Sequence, residues 1–231
     1  MKKSITKTAT LVVACIVFCG TSIAQQTDVF KSAYIKKELL KVAYWQLTHP
    51  NGKSQNSWTN GAFYTGVVAA QQATGSKALM DSLMAMGEKK QWRPGTQYDN
   101  ADDIVISQTY IDLYRLSKNQ QMIQPTIDTI KKIEAIPKTY VKKRGIMWWW
   151  CDDMAPPTLA KLAATLNDPH YLVLADTLYR ETYKLLFDKE EKLFARDASY
   201  LIDANGGGKR EANGKKNILG QRQWLGIGWP C

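Results

Sequence analysis

The sequence predicts an all-α protein built from antiparallel helical hairpins. Three observations carry that prediction. Apolar residues recur at helical spacing in segments of roughly 12–20 residues. Strand-type alternation is almost missing. The loops alternate short and long, as in a series of paired helices. The 231 residues are 45% hydrophobic and 23% charged, with 31 Lys and Arg against 21 Asp and Glu, a net charge of +10. A disordered tail, a fibrous repeat and a disulfide-dense miniprotein are thereby excluded.

The elements follow in order. Lys2, Lys3 and Lys7 precede the apolar run Leu11 to Phe18 and the small-residue ending Ser22-Ile23-Ala24. This is the layout of a secretory signal peptide over residues 1–24, and the run is too short to anchor in a bilayer. Its removal leaves 207 residues with 28 basic and 21 acidic groups, +7. Export to the periplasm or medium is expected. Val17 and Phe18 are poor neighbours for lipid attachment at Cys19. Val29 to Leu47 has helical periodicity and stops at the turn cluster His49-Pro50-Asn51-Gly52. Asn60 to Thr74 is a small-residue helix ended by Gly75, and Ser76 caps the next, through Met86. Asn100 to Ser117 and Met122 to Ile136 follow, the latter closed by Pro137. Pro156-Pro157 occupy a first turn continued by Leu159 to Leu166, and Asp168 to Leu186 completes the series. Long loops (91–99, 137–152, 187–216) rich in Trp, Arg, Gly and Asp fall between the hairpins, the pattern of a toroid of paired helices. A tetratricopeptide-type solenoid is the rival, without a visible repeat consensus.

Four segments carry possible chemistry. Trp58, Phe63 and Tyr64 lie at a loop-to-helix junction, where aromatic rings either stack on a sugar face or pack the hairpin. Asp99, Asp102 and Asp103 gather at a helix start, where the helix dipole alone accounts for acids; the polar Gln108 follows. Asp152 and Asp153 come directly after Trp148-Trp149-Trp150-Cys151. Surrounding rings would raise a carboxyl pKa toward that of a general acid, and an N-cap is the plain alternative. Arg196 either grips a carboxylate bidentately or pairs with Asp197. Two histidines and no Cys/His cluster at ligand spacing make a metal site improbable. The basic residues are dispersed among acids without a nucleic-acid motif.

Together these segments resemble glycoside hydrolase family 105 and its relative family 88, the unsaturated rhamnogalacturonyl and glucuronyl hydrolases. The matching stretches are Trp58 through Gly66, Ala101-Asp102-Asp103 with Ser107-Gln108-Thr109-Tyr110, Trp149 through Pro157, Phe194 through Tyr200, and Asn213-Gly214-Lys215-Lys216. They run in family order. The resemblance implies an (α/α)6 barrel and a substrate, an oligosaccharide ending in a 4,5-unsaturated uronate. It implies Asp152 as general acid/base, supported by Asp102 or Asp103, with Trp58, Tyr64 and Trp150 lining the sugar pocket and Arg196 near its rim. It implies no cofactor or metal, no nucleic acid, no membrane span and, if folded, a monomer. The run Cys151-Asp152-Asp153-Met154-Ala155-Pro156-Pro157 is two residues shorter than the family's. Anchored on Cys151 the catalytic match is Asp152; anchored on the prolines, Asp153 stands where the family has an apolar residue.

After Lys216 the family continues with an aromatic-Trp-x-Arg-Gly-Asn-Gly-Trp segment that this chain lacks. One codon choice for residues 217–231, read one base on, yields Ile-Phe-Trp-Gly-Arg-Gly-Asn-Gly-Trp. The sequence reading is therefore a signal peptide (1–24), a partial (α/α)6 hydrolase domain (25–216) covering the first half to two-thirds of the toroid, and an out-of-frame tail (217–231). An open toroid would be inactive. A saturated-glycan (α/α)6 glycosidase and a non-catalytic helical sugar-binding or scaffold protein are the alternatives.

Overall fold

The computed structural model describes residues 29–54, 56–98, 100–136, 154–195, 198–201, 208, 210 and 214–216. Eight α-helices are found among them. Helix α1 is Ser32–Thr48, α2 Trp58–Thr74, α3 Lys77–Lys89, α4 Ala101–Ile104, α5 Ser107–Ser117, α6 Gln124–Glu134, α7 Ala155–Leu166 and α8 His170–Leu186. A 3-10 turn at Gln120–Met122 leads into α6. Two short strands, β1 (Phe187–Asp188) and β2 (Leu193–Phe194), pair antiparallel after α8.

The helix boundaries follow local chemistry. Gly75 ends α2 in the left-handed region at φ 72°, where a Cβ is disfavoured. One residue on, the Ser76 hydroxyl accepts from the Leu79 N–H and starts α3. Prolines in the first turns of α6 and α7 remove N–H groups that have no partner within a helix. The segment expected as one helix from Asn100 to Ser117 is two. Asn100 caps α4 by accepting from the Asp102 N–H, and Val105 and Ile106 form a tight turn before α5. The break lets the Val105–Ile106 backbone meet α2, where a Cβ built on Gly61 would stand 2.3 Å from Val105 Cγ1 and 3.1 Å from the Ile106 nitrogen.

Helices α2, α5 and α7 form an inner layer. Helix α5 packs on α2 at one flank and on α7 at the other, while α3 pairs with α2 and α8 with α7. Two cores result. Tyr64, Val67, Val68, Leu79, Leu83, Met86, Ile106, Tyr110 and Leu113 fill the first. The second holds Ile104, Ile111, Ile127, Ile130, Ile133, Ala155, Leu159 and Leu162. Helix α5 supplies both, presenting Tyr110 and Leu113 on one side, with Ile106 of the preceding turn beside them, and Ile111 on the other. Polar ties reinforce the second core. Lys161 of α7 pairs with Asp112 of α5, and His170 of α8 with Glu134 of α6.

Helix α1 differs: Ala43 is its one buried residue. Phe30 just before it, with Tyr34, Ile35, Val42 and Trp45 on it, is exposed. Among the described residues no helix is long and apolar enough to cross a membrane.

Two substitutions gauge this architecture. Ile130→Ala, at a fully buried site, should cost about 2–5 kcal/mol in a denaturant titration. Val42→Lys and Trp45→Lys on the exposed α1 face should shift stability by less than about 1 kcal/mol and reduce binding of a hydrophobic dye.

Candidate active-site rim

The starts of the three inner helices lie side by side. Gly61 in the first turn of α2 touches the Val105–Ile106 turn before α5. Gln108 in the first turn of α5 reaches the N-cap of α7, its Nε2 donating to the Met154 carbonyl at 3.5 Å. Three sequence motifs far apart in the chain thus share one rim. Helix dipoles put partial positive charge there, which suits an anionic ligand.

Trp58 opens α2 and is 47% exposed, leaving a ring face open to a sugar. Tyr64, 8% exposed, sits two turns deeper and belongs to the first core, with Phe63 at 5.3 Å. Burial, and after it the neighbouring Tyr64 phenol, which would repel a second phenolate, raise the pKa of the Tyr110 phenol well above the ordinary tyrosine range. Tyr110 is therefore a neutral donor, its hydroxyl reaching the Arg93 carbonyl at 3.4 Å.

Asp102 and Asp103 both lie in α4. The Asp103 carboxylate accepts the Gln97 N–H at 2.7 Å, and its carbonyl accepts the Gly95 N–H at 2.6 Å. From the α2 side, Asn56 Nδ2 donates to the Pro94 carbonyl at 3.1 Å. The loop before α2, the loop before α4 and the aspartate pair are thus one hydrogen-bonded unit. Asp99, Trp148, Trp149, Trp150, Cys151, Asp152, Asp153 and Arg196 lie outside the described residues. Met154, two residues after Asp152, is fixed by its carbonyl, which also accepts from Thr158 Oγ1 at 2.9 Å.

Before Arg196 in the chain stands the β1–β2 hairpin, within residues 187–216 where the sequence pattern predicts a long loop. Phe187 faces Phe194 across it, and Tyr183 stacks on Phe187 at 4.5 Å. Lys216 closes it, donating to Asp188 Oδ2 at 2.9 Å and Glu190 Oε2 at 3.1 Å. The Lys216 bond, followed by the Glu191 N–H, lowers the Asp188 pKa; the bonds to Asp188 and then Glu190 raise that of Lys216. No spacing in the sequence announces this partnership, since 28 residues separate Lys216 from Asp188.

The helical hairpins bring an open tryptophan at the start of α2 and an aspartate pair in α4, just before α5, to one rim. The chain belongs to Glycosyl Hydrolase Family 88, whose family model matches residues 32–229. It is 31% identical over 207 residues to an unsaturated 3S-rhamnoglycuronyl hydrolase of Formosa agariphila, covering 84% of this chain and 54% of that protein. A protein of the same name from Alteromonas sp. (strain LOR) is 27% identical over 170 residues, covering 64% of this chain and 41% of that one. The chain spans about half the length of these curated relatives. Two solved structures share the fold. One named as a polysaccharide lyase superposes with a TM-score of 0.63 at 23% identity, covering 80% of this chain and 55% of that one. A family 88 glycosyl hydrolase from Bacteroides vulgatus gives 0.61 at 20%, with 78% and 56% covered. The helical layer is accordingly the (α/α)6 fold.

The hairpin clamp has a defined pH window. A lowered Asp188 pKa stabilises the fold above the unfolded value near 4 and loses that contribution as pH falls through the folded value. A raised Lys216 pKa stabilises below about 10.4 and is lost as pH rises through its folded value. Protection factors of the hairpin amides of residues 187–194, with the intrinsic pH dependence of exchange divided out, should therefore be highest between about pH 4 and 10, and Lys216→Met should weaken that dependence. Gly61→Ala, which drives a methyl into Val105, should cost about 1–3 kcal/mol in thermal melts.

Proposed function

We propose that this protein is an unsaturated uronyl hydrolase of the rhamnogalacturonyl or glucuronyl type. It releases the 4,5-unsaturated uronic acid that a lyase leaves at the non-reducing end of an oligosaccharide. The observation that carries the reading is the rim itself: Trp58 opens α2, the Asp102–Asp103 pair lies in α4 just before α5, and Met154 caps α7 within reach of Gln108. Family membership and the printed names of the curated relatives support the same class of substrate.

The chemistry needs one proton donor and one water. Asp152 donates a proton to C4 of the vinyl ether while the C5 carbon takes up positive charge, delocalised onto the ring oxygen. Water adds at C5 and gives up its proton to the Asp152 carboxylate, restoring the acid. The resulting hemiketal opens to a C5 ketone and a C1 hemiacetal, whose collapse to the C1 aldehyde releases the next sugar with the former glycosidic oxygen as its hydroxyl group. The tryptophans preceding Asp152 in sequence would keep its carboxyl protonated near neutral pH. An aspartate of the Asp102–Asp103 pair supports it, while Trp58 and Trp150 accommodate the sugar and Arg196 lies near the rim; Tyr64, expected in the sugar pocket, instead packs in the first core.

The test is direct. Protein expressed from its complete gene should bleach the ultraviolet absorbance of an unsaturated galacturonyl disaccharide and leave the saturated analogue intact. Asp152→Asn should lower kcat by about 100- to 10,000-fold without changing the thermal midpoint. Turnover of the saturated analogue instead would make the protein an ordinary two-carboxylate glycosidase.

A further inference from the structure

The seven residues from Gln91 to Gln97 are held far more tightly than a surface loop requires. Gln91 and Trp92 both occupy the left-handed region, at φ 52° and 57°, although neither is glycine. Such backbone persists only where its surroundings impose it, and it gathers at ligand-binding sites. The Trp92 ring fills the space where Gly87 lacks a side chain, a Cβ there standing 2.1 Å from it, and meets Tyr110 edge-on at 5.5 Å. The Arg93 carbonyl is taken by Tyr110 and that of Pro94 by Asn56. Gly95 lies flush against Asp103: its N–H bonds the Asp103 carbonyl, and an added Cβ would fall 2.2 Å from the carboxyl carbon. Gln97 N–H then bonds the carboxylate itself. Between buried Trp92 and buried Pro94, this clamped segment holds Arg93 exposed.

We propose that the braced segment is a subsite for the substrate's carboxylate, with Arg93 as the binding cation and Asp103 as the positioning residue that holds it. The proposal rests on the uronyl hydrolase reading for its ligand. A guanidinium presents a planar fork that fits a carboxylate through two parallel bonds, and it contributes most when its backbone is already fixed. Asp103 acts through the loop: its carboxylate accepts a backbone N–H and packs against Gly95, so its loss changes binding before it changes proton transfer. The two neighbouring aspartates thereby divide their roles, Asp103 bracing the rim and Asp102 remaining the candidate support for Asp152.

Steady-state kinetics on the unsaturated galacturonyl disaccharide test this, with circular dichroism as the folding control. Arg93→Ala should raise KM about 10- to 100-fold with kcat within about threefold, and Arg93→Lys should recover part of the loss. Asp103→Asn and Gly95→Ala should each raise KM about tenfold and leave the pH profile of kcat unchanged. Their double variant should be no worse than either single one, because both release the same loop. A methyl-esterified disaccharide should erase most of the difference between wild type and Arg93→Ala. An unchanged KM in Arg93→Ala overturns the subsite. A collapse of kcat or loss of one limb of the pH profile in Asp103→Asn overturns the positioning role. A lower kcat at constant KM in Gly95→Ala would mean fold damage alone and equally counts against it. Should wild type expressed from its complete gene, as in the test above, not turn over the disaccharide, the hydrolase reading fails by itself. Calorimetric binding of galacturonate to wild type and Arg93→Ala then decides the subsite, equal or undetectable affinities rejecting it.

Discussion

Burial of α5 on both flanks is the constraint on which the rest depends. The helix places Tyr110 and Leu113, with Ile106 of the turn before it, in the core shared with α2 and α3, and Ile111 in the core shared with α6 and α7. Ser107, Gln108 and Thr109 are buried as well. A helix so enclosed cannot slide or rotate without opening both cores. The starts of α2 and α7 are consequently fixed relative to its own start, and that is where the chemistry-bearing motifs lie.

Polar contacts then refine what apolar packing holds. Gln108 and Asp112, one turn apart on α5, meet Met154 and Lys161 one after the other along α7. This pair of ties sets the height of α7 and its cap Met154 against α5. Asn56 and Asp103 do the same for the loop before α4. These ties give the rim the rigidity that a site acting on a developing charge requires, while the buried hydroxyls of Ser107 and Thr109 in the first turn of α5 have no hydrogen-bond partner among the described residues.

The fold was legible to the extent that it rests on periodicity. Gly75, Ser76 and the Pro156-Pro157 pair mark helix ends through chemistry confined to a few neighbouring residues, and they stand where expected. The break at Val105–Ile106 was not legible, since its cause is the approach of Gly61 from another helix. The β1–β2 hairpin was missed because two-residue strands have no period to detect; its stability comes from aromatic pairing and Lys216. In the candidate site, Trp58 and the Asp102–Asp103 pair were visible as motifs, but Asn56, Gly95 and Arg93 carry no pattern of their own.

By itself the sequence determined the helical class, the hairpin order and the residue types available for sugar chemistry. These depend on spacing along the chain and on local capping. Tertiary structure alone decided that Tyr64 is packed within the core while Trp58 opens outward, and that Asp103 braces a loop beside Asp102. Those distinctions turn on which groups from distant segments come within a few ångströms. Periodicity states that a helix has an inner face, but only packing against a particular neighbour determines what that face meets.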